Sequence, residues 1–307
     1  MQAQGIYFKL VLTTIFWAAV FHVGKFVVTT VSPPTVTAWR FLLAAAILLP
    51  LARRGERMPW TAIRRNALPL LAMSAIGVFG FNISTFYGLR STSAVNAALI
   101  MALNPALTTI LAALIGRERI SMRQGTGLLM GIAGVAVVVS KGSWHALAGM
   151  SFSQGDLLIL LASLCWAFYP VIPKRFIKGL SSMQVTASTI AGGAALMALF
   201  ALDVAPDFTA VPALPVATGI LFMGVAGTVV AYLWWNQGIQ ALGAQSVANF
   251  INLVPLFAAF IGLLLGEPVS WAQACGAVLV VSGVLYSSIQ PASTRRALAQ
   301  VQLCNRG

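Results

Sequence analysis

Amides and aromatic rings set inside long apolar runs are the chemistry-bearing groups of this 307-residue chain. Gln245, Asn249 and Asn252 fall at i, i+4 and i+7, which predicts three amides on one helical face leading to Pro255. A proline has no N–H, so a backbone carbonyl one turn earlier is left to accept from something else. Asn104 directly precedes Pro105 in another run, with Asn96 two turns before it. Amides and freed carbonyls recognise an ammonium and a carboxylate without carrying charge; they serve equally well to bond neighbouring helices. Trp17 and Trp166 lie mid-run, and Tyr169 follows Trp166 by about one helical turn. Rings so placed can stack on a planar ligand or simply fill a core. Phe79, Asn82, Thr228 and Tyr232 lie at comparable depth in two further runs.

The ionisable groups are few. His22 and Lys25 share one face of the first run, and Arg40 lies within the second. Lys25 is near the end of its run and reads as snorkelling to the surface. His22 can titrate, bond a substrate, or be a satisfied packing histidine. All six acids, Glu56, Glu118, Asp156, Asp203, Asp207 and Glu267, fall in loops or at helix ends. No carboxylate is placed mid-run to carry a proton, which predicts facilitated diffusion or exchange rather than obligatory proton coupling. The chain has no HExxH and no GxxxxGK[ST], so neither a zincin nor a P-loop ATPase is indicated. No cofactor and no metal is expected. The three cysteines read as packing residues, not a disulfide framework.

These residues need elements to hold them, and composition says which. The chain is 59% hydrophobic and 8% charged, against about a quarter charged in an ordinary soluble domain. Its apolar residues come in blocks close to the roughly 20 that one helical crossing needs. Breaks at Pro, Gly and charge clusters divide it into ten segments: 7–28, 35–51, 67–88, 93–115, 123–140, 155–173, 181–201, 215–236, 243–265 and 269–289. The net charge of +13 is topogenic, with no nucleic-acid partner implied. With the N-terminus inside, fifteen of the nineteen Lys and Arg fall on the inner side, including Arg53, Arg54, Arg57, Arg64 and Arg65. Only Arg90 and Lys141 fall outside, so both termini are expected in the cytoplasm.

The chain also repeats itself. Trp17, Lys25, Ser32, Val36 and Thr37 recur 149 positions on as Trp166, Lys174, Ser181, Val185 and Thr186. Gly88, Ala94, Ala98, Leu103, Pro105 and Gly116 recur 150 on as Gly238, Ala244, Ala248, Leu253, Pro255 and Gly266. Two units of five crossings follow, at 1–145 and 146–290, with a cytoplasmic tail at 291–307. Five is odd, so the second unit inserts upside down relative to the first. The expected fold is all-α, ten transmembrane helices as two inverted repeats, an architecture that suits alternating access about a midplane site. Gly127 and Gly131 form a GxxxG that reads as packing within the chain.

Two five-helix halves, Pro105 and Pro255 in the fourth helix of each, and Gly–acid turns at Gly116-Arg117-Glu118 and Gly266-Glu267-Pro268 resemble the EamA-type drug/metabolite transporters. Trp17 and Trp166 fit as well, and the resemblance covers roughly 7–289. It implies a central cavity lined by the first, third, fourth, sixth, eighth and ninth helices, with the fifth and tenth peripheral. It further implies export of amino acids, aromatic ones included, and related metabolites from a bacterial inner membrane. The partners expected are a small-molecule substrate and lipid, with the monomer as the working unit. A proton-coupled exporter of cationic drugs is the alternative within transport; an integral membrane enzyme is the alternative outside it. Arg117 is an insertion relative to the second turn, so Glu118 and Glu267 need not play equivalent roles.

Overall fold

A computed structural model of the chain describes residues 2–55, 59–116, 122–143, 153–242, 247 and 249–288. The tail at 291–307, Gln245, Arg117 and Glu118 lie outside these. Among the described residues every regular element is helical. That is the solution open to a chain whose backbone polar groups must be paired without water.

Among the described residues seven helices are long and apolar enough to cross a membrane: Gly5–Val27, Pro33–Arg54, Ala67–Leu89, Ala94–Ile115, Gln154–Pro173, Ser182–Val204 and Leu214–Gly238. They overlie the first four apolar segments and the sixth to eighth. Shorter apolar helices, Gly125–Val138, Phe250–Leu264 and Trp271–Gly283, overlie the fifth, ninth and tenth. Leu68, Leu129, Leu199 and Val278 project outward at 80%, 68%, 65% and 65% exposure. So broad an apolar exterior would associate in water but is the natural surface in lipid. The chain is a multi-pass membrane protein.

The helices bend where their sequence withholds hydrogen bonds. Pro105 cannot donate to the Met101 carbonyl, and the fourth segment breaks into Ala94–Met101 and Asn104–Gly116. Pro255 withholds the equivalent bond from Ile251, and a 3-10 turn at Asn249–Asn252 precedes Leu253–Leu264. Asn249 and Asn252 lie one 3-10 turn apart, and Gln245, the third amide of the expected row, lies outside the described residues. The third and eighth segments carry π-helical turns at Met73–Gly80 and Val225–Val230, each including glycine. Thr228 Oγ1 donates to the Met223 carbonyl five residues back at 3.0 Å.

Packing joins the two halves pairwise. The first segment packs on the eighth and ninth, the sixth on the third and fourth, the second on the seventh, and the fifth on the tenth. The closest approaches recur with the halves exchanged. A Cβ at Gly88 would lie 2.9 Å from Ile159 Cδ1, and one at Gly238 would lie 2.7 Å from Leu10 Cδ2. Ile159 and Leu10 are themselves repeat equivalents. In the same way Gly77 receives the Tyr169 ring and Gly227 receives Val20. The GxxxG of the fifth segment packs within the chain against Gly283 of the tenth.

Loop contacts hold helix starts. Ser181 caps the seventh segment in a reciprocal box with Gln184. At the equivalent start of the second segment the carboxylate of Asp207 does this work. It accepts from Ser32 N at 2.7 Å, Ser32 Oγ at 2.6 Å and Thr35 Oγ1 at 2.8 Å. Burial pushes the Asp207 carboxyl up, but the bonds from Ser32 and Thr35 outweigh it and hold it below the usual carboxylate range.

Two outcomes follow. Gly134→Val drives a side chain toward Val280 Cγ2 at 2.7 Å and the backbone of Gly276 and Val280 at 2.8 and 2.9 Å. Overpacking of this kind costs about 1–3 kcal/mol. Gly125→Val meets nothing within 4 Å and is the control. Thermal melting of the detergent-purified protein should fall for the first and stay unchanged for the second. Because the folded pKa of Asp207 is depressed, its stabilisation is present above the ordinary carboxylate pKa of about 4 and is lost as pH falls through the folded value. Asp207→Ala should therefore melt below wild type at pH 7, with the gap closing on acidification below pH 4. A gap that persists or widens at low pH would contradict the capping role.

Candidate functional site

Two tryptophans from equivalent places in the repeat meet at the centre. Trp17 and Trp166 lie edge to face with centroids 6.0 Å apart. Trp17 is held by its indole N–H, which donates to the Gly227 carbonyl at 3.1 Å, in the π-helical turn of the eighth segment. Phe81 leans on Trp166 at 4.9 Å, Tyr169 stacks behind it at 5.3 Å with planes 1° apart, and Tyr232 stands edge-on at 5.6 Å. Edge-to-face and offset arrangements satisfy the ring quadrupoles and fix this cluster.

The cluster forms one wall of a cavity between the two halves. Its lining comes from the first, third, fourth, sixth, eighth and ninth segments, together with Arg40 from the second. Four pairs of lining positions are repeat equivalents: Trp17 and Trp166, Asn82 and Tyr232, Met101 and Ile251, Asn104 and Val254. Met101 and Ile251 are the residues whose carbonyls the two prolines leave unbonded by the usual helical donor.

Among the described residues Arg40 is the one charged residue of this lining, and it is 4% exposed. Its Nε donates to Thr228 Oγ1 at 2.8 Å, Nη1 to Asn82 Oδ1 at 3.4 Å, and Nη2 to the Gly227 carbonyl at 3.4 Å. Its guanidinium carbon lies 5.2 Å from the Phe41 ring centroid and 5.8 Å from that of Phe86. No carboxylate among the described residues pairs with it. The acids that are described have other positions: Asp156 accepts from Thr92 and Ser153, and Asp207 caps the second segment.

The residues expected from sequence divide into three groups. Trp17, Asn82, Asn104, Trp166 and Tyr232 line the cavity. Asn104 is already engaged, since its Nδ2 donates to the Ser163 carbonyl at 2.7 Å and its Oδ1 accepts from Thr108 at 3.2 Å. Thr228 and Tyr169 stand behind the lining: Thr228 receives Arg40, and the Tyr169 hydroxyl pairs with Thr189 Oγ1 at 3.1 Å. His22, Phe79 and Asn252 lie elsewhere. His22 Nε2 donates to the Ala258 carbonyl at 2.8 Å and ties the first segment to the ninth. Phe79 packs edge-on against Phe200 at 5.6 Å. Asn252 is buried just before the ninth-segment helix and does not line the cavity. The Asn249 side chain lies outside the described residues. Pro105 and Pro255 stand at the helix breaks already described.

Sequence reasoning left Arg40 without a role. Its signal was present as a lone cation inside an apolar run with no acid in that run. The repeat concealed it, because the equivalent position is Thr189. The aliphatic and Phe lining, such as Phe21 and Phe86, carries no signal that distinguishes it from lipid-facing sequence.

Asn104→Ala deletes a buried amide that ties the fourth segment to the sixth. A loss of about 1 kcal/mol is expected, read as a lower melting temperature in detergent. An unchanged melting temperature would show that the Ser163 contact contributes nothing to the fold.

The EamA-like transporter family matches the chain twice, over residues 4–140 and 153–289. The uncharacterized transporter YyaM of Bacillus subtilis (strain 168) is 38% identical, the alignment covering 94% of this chain and 95% of that protein. The S-adenosylmethionine/S-adenosylhomocysteine transporter of Chlamydia muridarum (strain MoPn / Nigg) is 26% identical over 85% of this chain and 84% of its own length. The uncharacterized inner membrane transporter YhbE of Escherichia coli (strain K12) is 28% identical over 94% and 92%. A protein crystal structure superposes with a TM-score of 0.65 at 20% identity, over 92% of this chain and 96% of that one, which supports the fold. With the family matched in both halves and a relative aligned almost end to end, this chain belongs to the EamA-like transporter family.

Proposed function

We propose that the protein exports amino acids, aromatic ones included, and related small metabolites across a bacterial inner membrane by alternating access. The observation that carries this reading is the lining itself: four pairs of equivalent positions from the two repeats face one space. In this reading the ten apolar segments all cross the membrane, the termini are cytoplasmic, and the halves at 1–145 and 146–290 are inverted. The strong excess of Lys and Arg on one side supports the orientation. The exchange of close contacts between halves, Gly88–Ile159 for Gly238–Leu10 and Gly77–Tyr169 for Gly227–Val20, supports a two-fold relation. Two similar halves that can trade conformations give inward-open and outward-open states of similar energy.

Several features favour a metabolite with a planar or apolar body. Trp17, Phe81, Trp166 and Tyr232 offer area and edges for one. The Chlamydia relative is named for S-adenosylmethionine and S-adenosylhomocysteine, the latter a zwitterionic amino acid bearing a planar ring. Export of cationic drugs is disfavoured, because among the described residues the charge of the lining is positive and no acid lines it to offset a cation. The same lack of an acid supports exchange or facilitated flow without obligatory proton coupling, by the protein as a monomer.

Proteoliposomes preloaded with unlabelled aromatic amino acid should accumulate the labelled form with no pH gradient across the membrane. Accumulation that occurs only under an imposed gradient would overturn the uncoupled mechanism. No flux of any amino acid would overturn the substrate class.

A further inference from the structure

We propose that Arg40 is the receptor for an anionic group, so that the cavity selects amphipathic carboxylates by charge and disfavours amines of the same shape. This deepens the function proposed above, because it rests on the same cavity and names what its substrate must carry.

The cost of the arrangement is the first argument. A guanidinium keeps its charge inside proteins, and an ion removed from water is destabilising unless paired. Arg40 is 4% exposed with no carboxylate partner among the described residues. Two of its three hydrogen bonds are long, at 3.4 Å. Three of its five N–H groups are used, and a carboxylate can accept from those that remain.

The bonding around it is the second argument. Two of the three atoms that receive Arg40 have another partner: Thr228 Oγ1 donates to the Met223 carbonyl, and the Gly227 carbonyl accepts from Trp17. Asn82 Nδ2 donates to the Val78 carbonyl, while its Oδ1 accepts from Arg40.

The broken symmetry is the third argument. In the second half, Tyr169 fills the space beside Gly77 and pairs with Thr189. The equivalents of Tyr169 and Thr189 in the first half are Val20 and Arg40. Val20 packs against Gly227 and also lines the cavity. An inert ring–hydroxyl pair in one half is therefore replaced by a small side chain and a long cation in the other. The cation reaches the shared space beside Asn82 and Trp17, which Phe21, Phe86 and Val254 also line with apolar surface for the substrate's body.

The test uses the full chain in lipid nanodiscs and three ligands with one body and different charge: 3-phenylpropionate, phenylalanine and 2-phenylethylamine. Trp17 and Trp166 sit in the wall, so tryptophan fluorescence and melting temperature both read binding. The carboxylate should bind most tightly, the zwitterion next and the amine least. R40Q and R40M should weaken carboxylate binding on the order of 10- to 100-fold and abolish the charge order, while R40K keeps part of it. R40M should melt at or above wild type without ligand, which separates loss of binding from loss of fold. The proposal is overturned if the amine binds as tightly as the carboxylate, if carboxylate affinity survives in R40Q and R40M, or if none of the three binds. Flux of the same ligands into proteoliposomes separates the two readings. Charge-blind flux that persists in R40M removes the receptor and leaves transport standing; charge-ordered binding without flux does the reverse.

Discussion

Close backbone approach between helices is the constraint on which the rest of this structure depends. In lipid no hydrophobic force drives one apolar helix onto another, so association relies on van der Waals contact and on hydrogen bonds. Glycine lets that contact become close. Gly134 faces the backbone of Gly276 and Val280, and Gly88 faces the carbonyl of Gly155. These contacts tie one half of the chain to the other, and they place the two central tryptophans against each other. Were the helices held further apart, the indole of Trp17 would not reach the Gly227 carbonyl, and the aromatic wall would lose its anchor.

The same dry surroundings explain how polar groups are used. Most are consumed locally: Thr13, Thr37, Ser74 and Thr85 bond carbonyls three or four residues back. His22 and Asn104 are spent on joining segments. The prolines act in the opposite sense, withholding helical donors from Met101 and Ile251 in the cavity lining. Arg40 stands apart from both patterns as a buried charge with no carboxylate partner among the described residues. A buried ionisable group inside an apolar segment points to a ligand.

Much of this was legible in the chain of residues, for identifiable reasons. The duplication marked Trp17 and Trp166 as equivalent, and their depth in apolar runs put them near the centre. Pro105 and Pro255 showed where helices break, but not that the stretch before Pro255 becomes a 3-10 turn. Hydrogen-bonding capacity was visible at His22, Asn104 and Asn252, whereas its use was not, because a carbonyl on a distant helix leaves no trace in sequence. Arg40 was obscured by the very symmetry that revealed the tryptophans: Thr189, its equivalent, is neutral. Phe81 and Phe86 line the cavity with nothing in their apolar surroundings to mark them as wall residues.

In the proposed alternating access, the space between the halves should open to each side of the membrane in turn. Val254 lines that space. A single cysteine at Val254, with Cys165, Cys275 and Cys304 replaced by alanine, can be challenged with a membrane-impermeant maleimide in right-side-out and inside-out vesicles. Labelling from both faces, slowed by an aromatic amino acid in each, is the expected result. Labelling from one face alone, or labelling that the amino acid leaves unchanged, would contradict it.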